Sequence, residues 1–259
     1  MVNHGFESKR TRTMNRHLSM RSGNPALKAS AFRKNLSAVT EGAMTLEGTV
    51  NKTGIALLLT ILSAGYAWGN PAMHGLVFPA AIIGLGLAVY TVFRPQKSAL
   101  TVPIYAVVEG IVLGVISMMF EAMYPGIVVQ AIFLTFGTLG ALLLAYKSGL
   151  IKATENFKLG VAAATGGIMI MYMINMVMGF FGSGIGVITS NSPMGIAFSS
   201  FVVVIAALNL VMDFDFIEEA VEQGAPKYME WYGAFGLLVT LIWLYLEILR
   251  LLAKLQSRR

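Results

Sequence analysis

The sequence contains no cysteine and only three histidines among its 259 residues. The absence of cysteine excludes disulfides, thiol catalysis and thiolate metal sites. The histidines, His4, His17 and His74, are scattered and do not form a cluster of metal ligands. Charged residues make up only 12% of the chain, whereas about a quarter of an ordinary soluble domain is charged. The composition therefore argues against a soluble globular protein.

The motifs of common enzymes are missing as well. Serine and threonine occur in the apolar runs without a nearby histidine, and the sequence has neither a phosphate-binding loop nor an HExxH zinc motif. The acidic stretch after Asn209 lacks the ligand spacing of a calcium-binding loop. We interpret the sixteen methionines as packing residues. We therefore expect neither an enzyme nor a resident cofactor.

What the sequence does contain is long hydrophobic segments. Hydrophobic residues make up 56% of the chain, and the mean hydropathy is +0.70. Seven continuous apolar runs each approach the roughly 20 residues that a helix needs to cross a bilayer. They cover residues 53–69, 73–93, 102–122, 127–146, 159–181, 195–214 and 232–253. Because these runs do not alternate with polar residues, they favour an all-α, polytopic bundle of seven transmembrane helices over a β-barrel.

The first 45 residues differ in composition from the rest. They are basic, rich in Ser, Asn and Arg, and lack both a long apolar run and the hydrophobic core of a signal peptide. We expect residues 1–45 to form a mostly disordered cytoplasmic arm and residues 46–255 to form the membrane domain in the lipid bilayer. The alternative interpretation is an arm that is attracted to anionic lipid. No interleaving of aromatic residues supports nucleic-acid binding.

Basic and non-basic connections alternate along the chain. Arg94 and Lys97 follow the second run and three lysines follow the fourth, whereas the first, third and fifth connections contain neither Lys nor Arg. The positive-inside rule therefore places the amino terminus in the cytoplasm. Seven spans then end outside, although the last segment contains Arg250 and Lys254. We predict seven full spans, with a bent or re-entrant last segment as the alternative.

Pairs of small residues recur at helical spacing. Ala80 and Gly84 are four residues apart, as are Gly110 and Gly114. Such pairs allow two helix backbones to approach closely, and we interpret them as packing contacts within one bundle. No internal repeat is evident, which weakens the case for an inverted-repeat transporter.

Two acidic residues, Glu109 and Glu247, lie well inside apolar runs. An ionised acid at such a depth is costly unless it faces a partner or a water-filled cavity. Glu109 is predicted to face the interior of the bundle. Arg250 follows Glu247 by three residues and lies on nearly the same helical face. Each acid therefore has two open interpretations, a functional group or an acid satisfied by a neighbour.

The sixth run ends in a series of five acids, Asp213, Asp215, Glu218, Glu219 and Glu222. Asp213 lies at the boundary of the run. On a helix, Asp215 is rotated by about 200° from Asp213, so the two cannot face the same cavity. We expect the three glutamates to be ordinary cytoplasmic surface.

Three segments resemble motifs of the Bax inhibitor-1 family of seven-span membrane proteins, in its bacterial branch of transmembrane Bax inhibitor motif proteins. They are "VVEGIVLG", "MDFDFI" and "LYLEILRLL", which begin at Val107, Met212 and Leu244. The number and order of spans agree as well. The resemblance implies a multi-pass protein of the bacterial inner (plasma) membrane that allows calcium to leak passively. It further implies gating by two acids on the last two spans, which share a proton and respond to pH.

Carried over by position, the resemblance implies that Asp213 and Glu247 are the pH-sensing or ion-binding pair. Glu109 is a supporting intramembrane acid and Asp215 is a possible additional one. The chain departs from the family pattern in having Glu at the second position and a longer stretch between the two acids. On straight helices, Glu247 would lie about 22 Å along the last span. A close pair therefore requires this helix to start deeper in the cytoplasm, or to kink near Gly233.

The leading hypothesis is a pH-sensitive cation channel, with calcium as the leaking ion. Two carboxylates in a poorly hydrated site cannot both ionise cheaply, and they would bind calcium only weakly. One alternative is a non-conducting interaction protein that modulates a membrane-bound AAA protease, as the resemblance to bacterial relatives implies. Another alternative is a proton-coupled transporter.

Overall fold

The structure, a computed structural model, describes residues 42–258. Within this range the chain forms eight α-helices and no strand, and seven of the helices are long and apolar enough to cross a membrane. The seven are Leu46–Trp68 (α1), Val77–Phe93 (α2), Ser98–Met123 (α3), Ile127–Lys147 (α4), Glu155–Phe180 (α5), Pro193–Glu222 (α6) and Met229–Gln256 (α7). The eighth, Gly186–Thr189, is a single turn between α5 and α6. The predicted bundle of seven transmembrane helices is confirmed, and residues 1–41 of the predicted arm lie outside the described residues.

Three of the long helices begin at a hydroxyl side chain that caps the first turn. Thr45, Thr154 and Ser192 each accept a hydrogen bond from the backbone N–H three residues later. Such a cap satisfies a backbone donor that has no partner inside the helix. The helices therefore start before the apolar runs do: α1 begins at Leu46 rather than at residue 53. Hydropathy predicts the part of a helix within the bilayer and misses its polar first turns.

Helices α3 and α7 form the centre of the bundle. In their apolar segments, 50% and 61% of the residues are buried, against 17% for α2 and α5. Helix α7 packs against α1, α3, α4 and α6, whereas α5 packs mainly against α6. Side chains on α7 therefore lie in the protein core, and α5 has a largely lipid-facing surface.

Glycines on α3 allow α1 to approach closely. A Cβ on Gly110 would overlap the Ser63 side chain and the Thr60 carbonyl, and a Cβ on Gly114 would overlap the backbone of Ala64. The predicted packing role of this glycine pair is therefore consistent with the structure. The contact fixes α1 against the central helix α3.

The chain just before α1 is packed against the α6–α7 loop. The Met44 N–H donates to the Ala225 carbonyl at 2.7 Å, and the Lys227 N–H donates to the Gly42 carbonyl at 3.1 Å. Met44 itself is 2% exposed. Residues 42–45, which we assigned to the arm, are therefore part of the folded bundle, and they mark what we call the amino-terminal end of the bundle.

Helices α6 and α7 run antiparallel in one constant register. Gly233 lies against the side chain of Ile217, and Lys254 donates a hydrogen bond to the Gly195 carbonyl. The two contacts are 22 residues apart on α6 (Ile217 to Gly195) and 21 residues apart on α7 (Gly233 to Lys254). The nearly equal spacings show that the register is kept along both helices. Helix α7 is thus a full span that ends opposite the amino-terminal end of the bundle, and it is not re-entrant.

Candidate functional site

Glu247 is a buried carboxylate on α7, with 2% of its side chain exposed. The Tyr172 hydroxyl, from α5, lies 3.0 Å from both carboxylate oxygens and donates to them. Arg250 Nη1 donates to the same oxygens at 3.0 and 3.1 Å, and to the Tyr172 oxygen at 2.7 Å. The three residues form a closed cluster that links α5 to α7, which we call the Glu247 cluster.

The Arg250 side chain is more exposed than the Glu247 carboxylate that it contacts. Its spacing of three residues from Glu247 puts the two on one helical face, as expected from the sequence. The guanidinium also lies over the Tyr172 ring, 5.0 Å from its centroid. Because 39% of its side chain is exposed, Arg250 can exchange this contact for water or lipid headgroups. A buried acid is thus balanced by one cation at the edge of the bundle.

Asp213 lies on α6 and is completely buried, at 0% exposure. The helix continues for nine residues beyond it, to Glu222, so Asp213 does not lie at the end of the helix. Its neighbours Met212 and Phe214 are also buried. The boundary position expected from hydropathy is therefore an interior one, because the apolar run ends before the helix does.

The α6–α7 register gives the relative depth of the two acids. Position 213 on α6 lies opposite position 237 on α7, and Glu247 lies ten residues beyond that position. At 1.5 Å per residue, the two carboxylates are about 15 Å apart along the helix axes. Helix α7 is continuous past Gly233 and Gly236 and starts at Met229. In this conformation Asp213 and Glu247 occupy two successive levels of the bundle, and their functional role stays a prediction.

Glu109 lies where α3 contacts α2. It is half-buried, and its carboxylate fills the space next to Gly84, so that a Cβ at that position would overlap it. Gly84, which lies four residues after Ala80, therefore makes room for the Glu109 carboxylate. That Glu109 faces the interior of the bundle, near the other two acids or a water-filled cavity, stays a prediction.

Asp215 faces a different side of α6 from Asp213, as the helical rotation predicts. Its carboxylate forms an ion pair with the Lys158 ammonium of α5, at 2.5 Å, and 24% of its side chain is exposed. An ion pair this accessible contributes little to stability. Asp215 therefore belongs to the wetter side of the helix.

A large cavity opens beside Asp215 at the amino-terminal end of the bundle. Its volume is about 920 Å³, and it lies between α1, α4 and α6. Asp215, Glu218, Lys147 and Lys152 contribute charged groups to its lining. Glu218 accepts a hydrogen bond from Tyr146 and is exposed. The glutamate expected to be plain surface thus borders this cavity, which we call the vestibule.

Sequence reasoning missed a second buried acid on α7. Glu230 is 0% exposed, and its carboxylate pairs with the ammonium groups of Lys52 and Lys227. It also accepts hydrogen bonds from the Thr45 N–H at 2.9 Å and the Thr45 hydroxyl at 2.8 Å. Gly48 leaves the room that the carboxylate occupies. This Glu230 cluster ties the start of α1 to the start of α7.

A buried lysine near the end of α7 was also missed. Lys254 is 5% exposed, and its ammonium donates to the carbonyls of Ile188 at 2.8 Å and Gly195 at 3.1 Å. It therefore fastens α7 to the α5–α6 connection. Since Arg250 and Lys254 are both engaged inside the bundle, two of the basic residues that broke the loop-charge rule have structural partners.

The described residues offer only small groups of potential metal ligands. Within residues 42–258, no group of three or more His, Cys, Asp or Glu side chains is placed to hold a metal ion. Tight calcium sites use six to eight oxygen ligands. The buried acids can therefore provide weak, separate oxygen sites at most.

The sequence matches the model of one known protein family. A sequence model of the family described as Bax inhibitor 1 like matches residues 24–257, which covers nearly the whole chain. A search among curated proteins found no match. The match covers all seven transmembrane helices, as well as the acids on α3, α6 and α7.

Proposed function

Because the chain belongs to the Bax inhibitor 1 like family, we propose that this integral membrane protein is a pH-sensitive cation leak channel, with calcium as the transported ion. The observation that carries the proposal is the Glu247 cluster. A carboxylate that is 2% exposed sits within a membrane helix and is balanced by one partly exposed arginine. Acids inside membrane spans are costly, and they commonly mark a pathway for ions or protons.

The Glu247 cluster provides a gate that responds to protons. When Glu247 is charged, it attracts the Arg250 guanidinium and accepts the Tyr172 hydrogen bond, so that α5 and α7 are held together. Proton uptake removes the charge, and the attraction to Arg250 is lost. Because α5 packs mainly against α6, it can then move away from α7. We expect ion flux to rise as the pH falls.

Asp213 and Glu247 act in this proposal as successive sites. Their separation of about 15 Å along the helices is too long for a shared proton and suits two ion positions. A leak needs binding that is strong enough to admit an ion and weak enough to release it. The Asp213 carboxylate at one level and a carboxyl oxygen of Glu247, neutral in the open state, at the other, each completed by water, meet that requirement for calcium.

The vestibule beside Asp215 and Glu218 is the proposed mouth of the pathway. We place it in the cytoplasm of a bacterial cell, with the protein in the inner membrane, because the basic connections lie at this end of the bundle. Cysteines introduced at Ser183 or Asn191, in the α5–α6 connection, should then react with an impermeant maleimide added outside intact cells. Labelling only after the cytoplasm is made accessible would reverse the orientation.

The test of the function is ion flux through the purified protein. In liposomes loaded with a calcium indicator, we expect calcium entry above that of protein-free liposomes, and faster entry as the pH falls from 8 to 6 (about two units around neutrality). A proton-coupled transporter would instead show saturable uptake of an organic substrate that requires a pH gradient. Liposomes that contain folded protein and pass no calcium would refute the channel.

A second candidate function is supported by the Glu230 cluster. The chain that leads to the basic arm is fixed by Met44, Thr45 and Glu230 against the α6–α7 loop. This attachment would present the arm at a defined place for a partner such as a membrane-bound AAA protease. Deletion of residues 2–41 should abolish capture of that protease if the protein is a non-conducting adaptor. Calcium flux would be unaffected by the deletion if it is a channel.

A further inference from the structure

Asn209 is a buried amide between the two levels of acids. It lies on α6 with 1% exposure, and its Nδ2 donates to the Thr165 hydroxyl and to the Ile205 carbonyl, both at 2.8 Å. Its Oδ1 is buried and accepts no hydrogen bond from the residues that the structure describes. Buried polar atoms in native proteins nearly always have a partner. This oxygen therefore needs a physical explanation.

The orientation of the amide follows from its neighbours. The Ile205 carbonyl can only accept a hydrogen bond, so the nitrogen of Asn209 must face it. The oxygen then points to the other side, where it has no donor. Leucine would fill a similar volume in the apolar stretch around position 209 without burying a polar atom. An asparagine whose buried oxygen has no hydrogen-bond donor destabilises the folded bundle.

Two independent spacings place Asn209 at a depth between Asp213 and Glu247. On α5, Thr165 and Tyr172 are seven residues apart, which is two turns on one face, or about 10 Å. In the α6–α7 register, position 209 lies opposite position 241, which is six residues, or about 9 Å, before Glu247. The two values agree. Asp213 lies one turn, or about 6 Å, on the other side of Asn209.

We propose that Asn209 Oδ1 is a neutral oxygen ligand for the cation as it passes between Asp213 and Glu247. This inference rests on the proposed channel function. Calcium accepts amide oxygens as ligands alongside carboxylates. A neutral ligand between two acids divides the axial gap of about 15 Å into two shorter steps. It adds no third charge that would trap the ion. The oxygen accepts no hydrogen bond from the described residues and is bonded when an ion arrives.

The test compares Asn209→Leu and Asn209→Ser with the wild type in calcium-loaded liposomes. Both variants remove the oxygen from its position, and the serine variant serves if leucine does not fold. Thr135→Val is a matched control, because Thr135 is also a buried polar residue (4% exposed) whose hydroxyl bonds only to the Ala131 carbonyl of its own helix. We expect at least a roughly tenfold lower calcium flux for the Asn209 variants, and unchanged flux for the control.

A second readout separates this inference from the channel function. Calcium should raise the Tm of the detergent-solubilised wild type, and the rise should be smaller in the Asn209 variants. If the wild type conducts and the Asn209 variants conduct equally well, the channel stands and the ligand role is refuted. If the variants change the Tm measured without calcium, but neither the rise in Tm on adding calcium nor the calcium flux, the oxygen has a structural role only. The ligand role is then refuted. A wild type that passes no calcium refutes both.

Discussion

Helix α7 contains two buried acids whose surroundings differ. Glu230 contacts two lysines and both the N–H and the hydroxyl of Thr45, so its partners come from α1, from the segment before it and from the α6–α7 loop. Glu247 contacts Tyr172 of α5 and, on its own helix, Trp243 and Arg250, and 39% of that arginine side chain is exposed. The two acids are equally buried, at 0% and 2%. Burial alone therefore does not separate a structural acid from a functional one.

The number and the origin of the partners make the distinction. Each carboxylate oxygen of Glu230 has an ammonium group beside it, and the cluster closes the amino-terminal end of the bundle. Among the described residues, Glu247 has one ion-pair partner, Arg250 of its own helix, with Lys254 attracting it from farther away, and the Tyr172 hydroxyl links it to α5. Protonation of Glu247 disrupts one ion pair, whereas protonation of Glu230 would disrupt its contacts with four donors. Glu247 is therefore the easier of the two acids to protonate. We therefore assign a structural role to Glu230 and propose a gating role for Glu247.

The largest expected effect is the loss of stability when the Glu230 charge is removed. Glu230→Gln leaves the lysines of its cluster close together without their counter-ion. Breaking such a buried pair costs about 3 kcal/mol, which lowers the Tm by roughly 6–12 °C for a chain of this size. Thermal unfolding in detergent measures the change, with Glu222→Gln as an exposed control. If both variants unfold together, Glu230 is not a structural junction.

The room that Gly48 leaves for Glu230 gives a second, smaller test. Gly48→Ala places a methyl group where the Glu230 carboxylate lies, and overpacking of this kind costs about 2 kcal/mol. Gly54→Ala is the matched control, because it lies on the same helix and a Cβ there meets nothing within 4 Å. The control should be neutral or slightly stabilising, since alanine favours helix over glycine by up to about 1 kcal/mol. Equal stability of the two variants would show that the carboxylate is not held in place.

The smallest expected effect is at the other end of α7. Lys254→Met keeps most of the apolar stem and removes the hydrogen bonds to the Ile188 and Gly195 carbonyls. We expect a loss of about 1 kcal/mol in the free energy of unfolding. Leu255→Met, at an exposed neighbouring position, is the control. A loss as large as that of Glu230→Gln would mean that both ends of α7 are held equally firmly. It would contradict the stronger attachment expected at the Glu230 end.

Hydrophobic runs in the sequence were sufficient to predict the seven helices. Spans of this length and hydropathy have few alternatives in a bilayer. The start of α1 and the end of α6 were predicted too far inside, because the polar turns around Thr45 and Glu219 remain helical beyond the apolar segment. Local capping and packing set those boundaries, and hydropathy does not report them.

The sequence predicted one of the two buried acids of α7 and missed the other, because only the first lies inside an apolar run. Glu247 was identified because it interrupts an apolar run, and Arg250 because it lies on the same face. Tyr172 and Glu230 were missed, since their contacts connect segments that are 75 and 178 residues apart. One local signal was present for Glu230: Lys227 precedes it by three residues, between aromatic and apolar neighbours. Depth was the hardest property to predict, because it depends on the α6–α7 register.

The most direct test of the account is the pH dependence of calcium flux in liposomes for variants of both acids on α7. We expect Glu247→Gln, which resembles the protonated acid, and Asp213→Asn, which removes a charged ion site, each to remove the rise in flux at low pH. The double variant should resemble a single one, because one change already removes the response to pH. Glu230→Gln, in the fraction that folds, and Glu222→Gln should keep that rise. If Glu247→Gln and Asp213→Asn retain the wild-type pH dependence while Glu230→Gln loses it, the roles assigned to the two acids of α7 are reversed.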